Sequence, residues 1–164
     1  MLRLKVFEEF NRTIKKEVYH GTPDGRFSEI KNSLLGQRSD SLTGGNRGVV
    51  WFTDNIAVAK TYADTKRAYD YQNAVPRIFK RTIQLHNPLI VDARGQLWRK
   101  IDLEIDGEKI KGTRELVEYA KKAGYDGVVV KNVYDCYNHF DGQNLNKKYL
   151  STTYGVFNDN QIYE

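Results

Sequence analysis

The chain has 164 residues, with 26 basic and 21 acidic side chains and a formal net charge of +5. This length suits one hydrophobic core, and we expect residues 1–164 to form a single domain. The charge excess is too small for a dedicated nucleic-acid binder but is compatible with an anionic ligand. A single cysteine excludes an internal disulfide and a cysteine-based zinc cluster.

The sequence contains neither a recognisable secretory signal nor a membrane-spanning segment. Residues 1–5 include two basic side chains and are not followed by the apolar run that a signal would have. The longest apolar runs, 48–52 and 127–130, are far shorter than the roughly 20 residues that cross a bilayer. We therefore expect a soluble, cytoplasmic protein without a membrane partner, and a monomer as the simplest assembly.

The first part of the chain is predicted to contain short elements and one long connection. Alternation over residues 2–6 favours a strand, whereas the apolar residues between 7 and 14 follow helical spacing, so both interpretations stay open. Residues 17–20 are predicted as a strand. The polar residues 24–47 are predicted as a surface connection, and connections of this length are usually functional or mobile.

A strand followed by a helix is predicted next. Residues 48–52 are predicted as a buried strand, and Asp54 as the N-cap of a helix that begins near Asn55. Ala59 and Tyr62 belong to this helix. The helix is expected to pack back over the strand.

The second half of the chain is predicted to contain two strands and a clear helix. The strands cover residues 78–85 and 89–91. Thr113 is predicted as the N-cap of a helix over residues 114–123, which has apolar side chains on one face. Gly124 follows at the position where helices usually end in a left-handed residue.

The remaining segments complete an irregular order of elements. Residues 92–112 are charged and show no clear period, whereas 128–130 and 152–157 are predicted as strands. A polar loop over 134–150 separates those two strands. Many short strands with two helices, in no regular alternation, predict an α+β domain with mainly antiparallel sheets.

Two short segments contain side chains suited to a flat ligand. His20 ends a strand beside Gly21, whose backbone groups can lie directly against a carboxamide, and Thr22 adds a hydroxyl. Trp51 and Tyr62 can form two walls for a third ring. By residue type alone, His20 is more often a structural hydrogen-bonding group, and Trp51 is equally compatible with a plain core position.

Five segments together resemble the ADP-ribosyltransferases of the diphtheria-toxin and poly(ADP-ribose) polymerase type, above all the small bacterial and phage domains found in polyvalent proteins. The segments are residues 19–22, residues 51–54 with Ala59 and Tyr62, residues 87–89, residues 124–127 and residues 154–162. They occur in the family's order and extend over nearly the whole chain. The resemblance implies the ADP-ribosyltransferase fold, with two packed, mainly antiparallel sheets and flanking helices.

The resemblance also implies roles for individual residues. His20, Trp51 and Thr153 occupy the three catalytic triad positions, where His20 would hold the ribose. The implied NAD-binding residues are Tyr19, Gly21, Thr22, Phe52, Ala59 and Tyr62. The related enzymes usually have tyrosine in place of Trp51, and the polymerases have glutamate in place of Thr153. Threonine can form hydrogen bonds but cannot accept a proton as a carboxylate does.

The function implied by the resemblance is mono-ADP-ribosyl transfer from NAD to a macromolecule, with release of nicotinamide. NAD is then a substrate, and no metal is required. Such a domain would be a toxin-like phage or bacterial effector acting in the cytoplasm, including that of a host. Alternatives are a non-catalytic module that binds NAD or ADP-ribose, an NAD glycohydrolase, and an enzyme similar to RNA 2′-phosphotransferases. The last class needs arginines where this chain has Trp51 and Thr153.

The polar loop before the last long strand is the predicted acceptor site. In the resembling enzymes this segment lies beside the reactive ribose carbon. Its candidate residues here are Tyr137, His139, Lys147 and Lys148. A protein acceptor is slightly favoured over nucleic acid, because the chain has no basic stripe.

Two further charged groups are interpreted as solvated surface. Glu104, Asp106 and Glu108 alternate but lack the glycine-punctuated spacing of a calcium loop. Part of the excess basic charge lies between Arg77 and Arg81, where a solvated strand edge is favoured over a binding patch.

Overall fold

The computed structural model describes residues 13–23, 48–64, 75–137 and 146–163. The predictions for residues 2–12 and 24–47, and for His139, concern residues outside these ranges. Ile14, the last residue of the predicted helical spacing, begins a strand.

The described ranges contain short strands, two α-helices and three single-turn 3-10 helices. The strands are β1 Ile14–Thr22, β2 Val50–Thr53, β3 Arg77–Leu85, β4 Pro88–Asp92, β5 Asp102–Ile105, β6 Glu108–Lys111, β7 Gly127–Tyr134, β8 Leu150–Val156 and β9 Ile162–Tyr163. The α-helices are α1 Ile56–Tyr62 and α2 Gly112–Lys122, and the 3-10 helices are Trp98–Lys100, Lys147–Tyr149 and Asp159–Gln161. Neither described α-helix is long and apolar enough to cross a membrane.

Seven strands form one sheet in the order β4-β7-β8-β2-β1-β3-β9, and β5 and β6 form a separate hairpin. All neighbouring strands in the large sheet are antiparallel except the parallel pair β4 and β7. The predicted α+β class with mainly antiparallel pairing is confirmed. The predicted arrangement of two packed sheets is not confirmed, because the described strands form one large sheet and one small one.

The large sheet is nearly divided between β1 and β2. These two strands pair only at Tyr19 and Thr53, whereas β1 pairs with β3 along nine residues. We call β1, β3 and β9 the three-stranded part, and β4, β7, β8 and β2 the four-stranded part. Within the described residues, β1 and β2 form no continuous ladder with each other on either side of this bridge.

Both parts of the sheet contribute to one hydrophobic core. Since Tyr19 and Thr53 are direct partners, Val18 and Phe52 lie together on the opposite face of the sheet. Both side chains are buried in the first core cluster, together with Phe79 of β3. A second cluster beneath α2 and the hairpin includes Leu116, and Trp51 packs at its side.

The N-cap predicted for α1 is wrong by one residue. The side chain of Asn55 caps the helix, since its Oδ1 accepts a hydrogen bond from the Ala57 amide at 2.9 Å. Asp54 still continues the line of β2 beside β8, and its Oδ1 accepts from the Thr152 amide at 2.9 Å. The carboxylate therefore links two strands and is not available to the helix.

The start predicted for α2 is also wrong, whereas its end is confirmed. The helix begins at Gly112, and the predicted cap Thr113 lies inside it. Glu115 replaces a side-chain cap, because its Oε2 accepts from the Lys111 amide at 2.7 Å. Gly124 has a φ of +85°, as the left-handed position after a helix predicts.

Candidate functional site

His20 bridges the gap between β1 and β2. Its Nδ1 lies 2.7 Å from the carbonyl oxygen of Trp51. A carbonyl can only accept, so the ring carries a proton on Nδ1, and Nε2 of a neutral ring is then an acceptor. The ring also meets Phe52 edge-on, with centroids 5.8 Å apart. Two predicted triad positions are thus joined by a direct hydrogen bond at the division of the sheet.

Gly21 is the point at which α1 lies against β1. A Cβ atom at this position would be 1.8 Å from the carbonyl oxygen of Ala59. The packing of α1 therefore requires a glycine, a reason that the sequence did not indicate. Gly21 pairs with Ile78 of β3. On the side of β2, it lies two residues beyond Tyr19, at which the described residues of β1 and β2 form their bridge.

The indole of Trp51 lies flat against the neighbouring strand. A Cβ atom at Gly155 would be 2.7 Å from its Cζ3, and Trp98 meets the ring edge-on at 4.7 Å between centroids. Its Nε1 is buried, and within the described ranges it has no hydrogen-bond partner. Trp51, one of the two predicted walls, is therefore held between β8 and the 3-10 helix Trp98–Lys100.

Tyr62, the other predicted wall, is fixed by contacts with the segment after β7. Its hydroxyl donates to Oδ1 of Asp135 at 2.5 Å, and its ring lies 6.1 Å from that of Tyr137. The amide of Tyr137 donates in turn to Oγ1 of Thr61 at 3.1 Å. Tyr62 thus contacts Asp135 and Tyr137, whereas Trp51 packs against Gly155 and Trp98.

Asp135 is a buried carboxylate that the sequence did not indicate. It is 5% exposed, and its amide donates to the carbonyl of Tyr149 at 3.1 Å. Burial raises its pKa to about 6, against the opposing effects of the Tyr62 hydrogen bond and the positive charge of Arg99. An aspartate just after a strand is typical of a turn, and its partner Tyr62 is distant in sequence, so no local pattern distinguishes it.

Thr153 is enclosed in the four-stranded part. It pairs with Thr53 on one side and Val130 on the other, and it is 1% exposed. Its Oγ1 has no hydrogen-bond partner among the described residues. The hydroxyl therefore forms no bond to His20, and a glutamate carboxylate at this position would be buried.

Register also decides which triad residues share a face of the sheet. Trp51 is opposite Gly155, two residues from Thr153, so Trp51 and Thr153 lie on the same face. His20 lies on the other face, with Phe52. The side chains of the three residues therefore do not share one face of the sheet.

The remaining predicted NAD-binding residues surround this division. Tyr19 forms the single bridge, and Thr22 ends β1. Phe52 is buried in the first core cluster. Ala59 is buried in α1, with its carbonyl directed at Gly21.

The predicted acceptor residues that the structure describes lie at both ends of α1. Tyr137 is beside Tyr62 at the C-terminal end. Lys147 and Lys148 are exposed in a 3-10 helix near the N-terminal end, where Nδ2 of Asn55 donates to the Lys148 carbonyl at 2.6 Å. The helix that carries Ala59 and Tyr62 is thus fastened to both sides of the predicted acceptor segment.

Within the described ranges, no group of three or more His, Cys, Asp and Glu side chains is placed to hold a metal ion. Asp106 is at the turn of the β5–β6 hairpin, and its Oδ2 accepts from the Tyr119 hydroxyl at 2.9 Å. The carboxylate is thus engaged with α2.

Comparison with known proteins identifies a family. The family model described as ADP-ribosyltransferase in polyvalent proteins matches residues 14–164. No match was found among curated proteins or among solved structures.

Proposed function

Because the chain belongs to the family of ADP-ribosyltransferases in polyvalent proteins, we propose that it moves one ADP-ribose from NAD to a macromolecular acceptor. The observation that best supports this function is the hydrogen bond from His20 to the Trp51 carbonyl. It connects two positions that the resemblance assigns to the NAD site. It does so where β1 and β2 stop pairing.

The nicotinamide end of NAD would lie at this division, between Trp51 and Tyr62. The backbone of Gly21 would bind the carboxamide, with α1 held close by the Gly21–Ala59 contact. Stacking of the nicotinamide on each ring contributes about 0.5–1.5 kcal/mol beyond burial. Asp135 supports this arrangement by fixing the hydroxyl of Tyr62.

The proposed reaction breaks the bond between nicotinamide and ribose. The bonding electrons leave with nicotinamide, which departs as a neutral molecule, and a positive, oxocarbenium-like ribose is left for attack by the acceptor. Binding of the ribose by His20 would position it for that attack. Thr153 cannot accept a proton from a ribose hydroxyl, so transfer of a single ADP-ribose is favoured over chain growth.

We propose a protein acceptor that approaches α1 from the side of Lys147 and Lys148. Both side chains are exposed, and their 3-10 helix is hydrogen-bonded to Asn55 at the start of α1. Two adjacent positive charges suit an acidic protein surface. The reactive ribose would then be reached along the helix that carries the nicotinamide wall.

The test is incubation of the pure protein with NAD labelled in the adenine and with whole-cell lysate. We expect labelled product that protease removes and nuclease leaves intact, together with an equal amount of released nicotinamide. Product sensitive to nuclease would change the acceptor class. Nicotinamide release with only free ADP-ribose would indicate a glycohydrolase.

A non-catalytic NAD-binding module is the second candidate, and the observation that favours it is the enclosed Thr153 without a carboxylate. It predicts NAD binding, measured by calorimetry, with no nicotinamide release in any lysate. An RNA 2′-phosphotransferase-like activity is disfavoured, because neither Trp51 nor Thr153 is basic.

A further inference from the structure

Strand β3 places two arginines on the face of the sheet that carries His20. Phe79 is the direct partner of His20 in the β1–β3 register, and Arg77 and Arg81 lie two positions on either side of Phe79. Residues two apart on a strand share a face, and so do direct partners. The two arginines therefore lie on either side of Phe79, the direct partner of His20.

The two guanidinium groups are held on one aromatic ring. Cζ of Arg77 lies 4.3 Å from the centroid of the Phe79 ring, and Cζ of Arg81 lies 5.3 Å from it. These distances are within the range of cation–π contacts. Because both groups approach the same ring, two positive charges are kept within about 10 Å of each other.

Neither arginine has a carboxylate partner among the described residues. Glu17, which belongs to the neighbouring strand, points to the opposite face and pairs with Lys80 at 3.2 Å. None of the side chains that β1 and β3 carry on the arginine face is acidic. Two like charges at this separation repel, and an anion between them would remove the repulsion.

We infer that Arg77 and Arg81 bind the pyrophosphate of NAD. This inference rests on the proposed function, in which His20 holds a ribose of the same molecule. The two phosphates of NAD connect its two riboses, so they must lie next to the ribose at His20. Guanidinium groups bind phosphate oxygens through paired, charge-assisted hydrogen bonds.

The inference also determines which ligands the site should prefer. NAD and ADP-ribose contain the pyrophosphate, and nicotinamide riboside does not. The arginines should therefore increase affinity for the first two ligands and have no effect on the third. The site would select the complete dinucleotide over its phosphate-free fragment.

The experiment measures binding of ADP-ribose, NAD and nicotinamide riboside by calorimetry to the parent and to the double variant Arg77→Gln with Arg81→Gln. We expect ADP-ribose and NAD to bind at least on the order of tenfold more weakly to the variant. Affinity for nicotinamide riboside should not change. ADP-ribose binds without being turned over, so this readout does not depend on catalysis.

The matched control is Lys80→Gln, which removes one positive charge from the same strand between the two arginines. Lys80 lies on the opposite face and is paired with Glu17. We expect the affinity for ADP-ribose to stay at the parent value in this variant. An equal loss in both variants would mean that general charge, and not the arginine face, attracts the ligand, and would overturn the inference.

Thermal melting checks whether loss of the guanidinium groups from the Phe79 ring destabilises the fold. If the glutamine variant melts early, Arg77→Lys with Arg81→Lys retains both charges and should recover part of the ADP-ribose affinity. The parent alone gives a second test. Its affinity for ADP-ribose should fall with added salt, and its affinity for nicotinamide riboside should not.

Each of the remaining outcomes either supports or overturns the inference. Parent-like ADP-ribose affinity in a folded double variant overturns the inference. Loss of binding to a short single-stranded oligonucleotide, with ADP-ribose affinity retained, also overturns it and assigns the arginines to an acceptor. Arginine-dependent ADP-ribose binding without nicotinamide release supports the inference and contradicts the proposed transfer. A parent that binds neither NAD nor ADP-ribose contradicts both.

Discussion

The hydroxyl of Tyr62 and Oδ1 of Asp135 are 2.5 Å apart, although 73 residues separate them in the chain. One residue ends α1, and the other follows β7. The bond fixes an aromatic wall of the candidate site with a carboxylate that is itself buried. Tyr62 thus depends on a residue for which the sequence gives no signal.

Asp135 should make stability depend on pH. Its pKa rises from 3.8 to about 6 on folding, so the folded protein binds the proton more tightly than the unfolded chain. The stabilisation that this bound proton gives is complete below about pH 4 and is lost as the pH rises through about 6. The free energy of unfolding changes by up to about 3 kcal/mol over this range. Asp135→Asn cannot ionise and should be more stable than the parent at pH 8, as measured by urea unfolding.

The two proteins should become similar in stability as the pH falls below 5. If the free energies of unfolding of the parent and of Asp135→Asn differ by the same amount at every pH from 4 to 8, the pKa of Asp135 is not raised. Asp135→Ala is the companion variant, because it leaves the Tyr62 hydroxyl without this acceptor. We expect it to weaken NAD binding, whereas the asparagine variant, whose amide oxygen still accepts, should bind NAD as the parent does.

Gly21→Ala should separate α1 from β1. The new Cβ would be 1.8 Å from the Ala59 carbonyl oxygen, which belongs to the backbone and can move only with the helix. We expect the free energy of unfolding to fall by at least about 1 kcal/mol and by up to several kcal/mol. NAD binding should be lost in the same variant. Urea unfolding and calorimetry measure the two effects.

Gly124→Ala is the control for this substitution. It is strained by a φ of +85°, yet a Cβ there would meet no atom of the described residues within 4 Å. It should cost about 1 kcal/mol in stability and leave NAD affinity unchanged. If Gly21→Ala behaves in the same way as this control, the contact between α1 and β1 does not set the geometry of the site.

Thr153→Val should increase stability while reducing transfer. Valine has the same shape, and it removes a buried hydroxyl for which the described part of the chain offers no hydrogen-bond partner. The expected gain is on the order of 1 kcal/mol. If the hydroxyl binds NAD or the reacting ribose, nicotinamide release should fall in the same variant, since that bond is lost. Unchanged release would remove Thr153 from the site.

His20→Asn tests whether the histidine does more than connect the two strands. The asparagine amide can still donate to the Trp51 carbonyl, as Nδ1 does in the parent. We expect a folded protein whose transfer rate is lower by about a hundredfold or more. His86→Asn changes an exposed histidine in the turn between β3 and β4 and should transfer at the parent rate. Parent-like transfer by His20→Asn would make the residue structural.

Replacing Lys147 and Lys148 together by glutamate should reduce transfer to a protein acceptor. Both side chains are exposed, and only the backbone carbonyl of Lys148 binds Asn55, so α1 should stay in place. NAD affinity and the slow hydrolysis of NAD should not change. The control is Lys109→Glu with Lys122→Glu, two exposed lysines on other elements. Equal losses of transfer and NAD affinity would place the segment in the NAD site.

Measurements of NAD binding by tryptophan fluorescence must include both indoles. Trp98 is the second tryptophan of the chain, and the centroids of its ring and the Trp51 ring are 4.7 Å apart. Its removal would change the support of the wall that is being observed. Trp98→Phe, which keeps an aromatic ring, is the appropriate background for detecting quenching of Trp51.

Local sequence signals predicted those features that depend on near neighbours. Gly124 marks the end of α2, and the apolar run at 128–130 lies in the buried part of β7. The Asp54 prediction failed because β8 competes with the helix for the carboxylate. The hairpin within 92–112 was missed because its exposed strands are rich in charged residues and have few apolar ones.

The roles of the candidate site residues stay predictions, and the contacts that support them were not predicted from the sequence. His20 is hydrogen-bonded to the Trp51 carbonyl. The Tyr62–Asp135 bond and the Gly21–Ala59 contact depend on how distant segments meet, and neither leaves a periodic pattern in the sequence. The enclosure of Thr153 likewise follows from the strands on both sides of it.

The single bridge between Tyr19 and Thr53 has a consequence for hydrogen exchange. Strands joined by long ladders open together, whereas one bridge couples two groups of strands only weakly. Backbone amides within β3 and within β8 should therefore exchange with different opening free energies. A ligand bound across the division between β1 and β2 would make these two opening free energies more similar. Hydrogen exchange of amides far from the ligand would then report that it is bound.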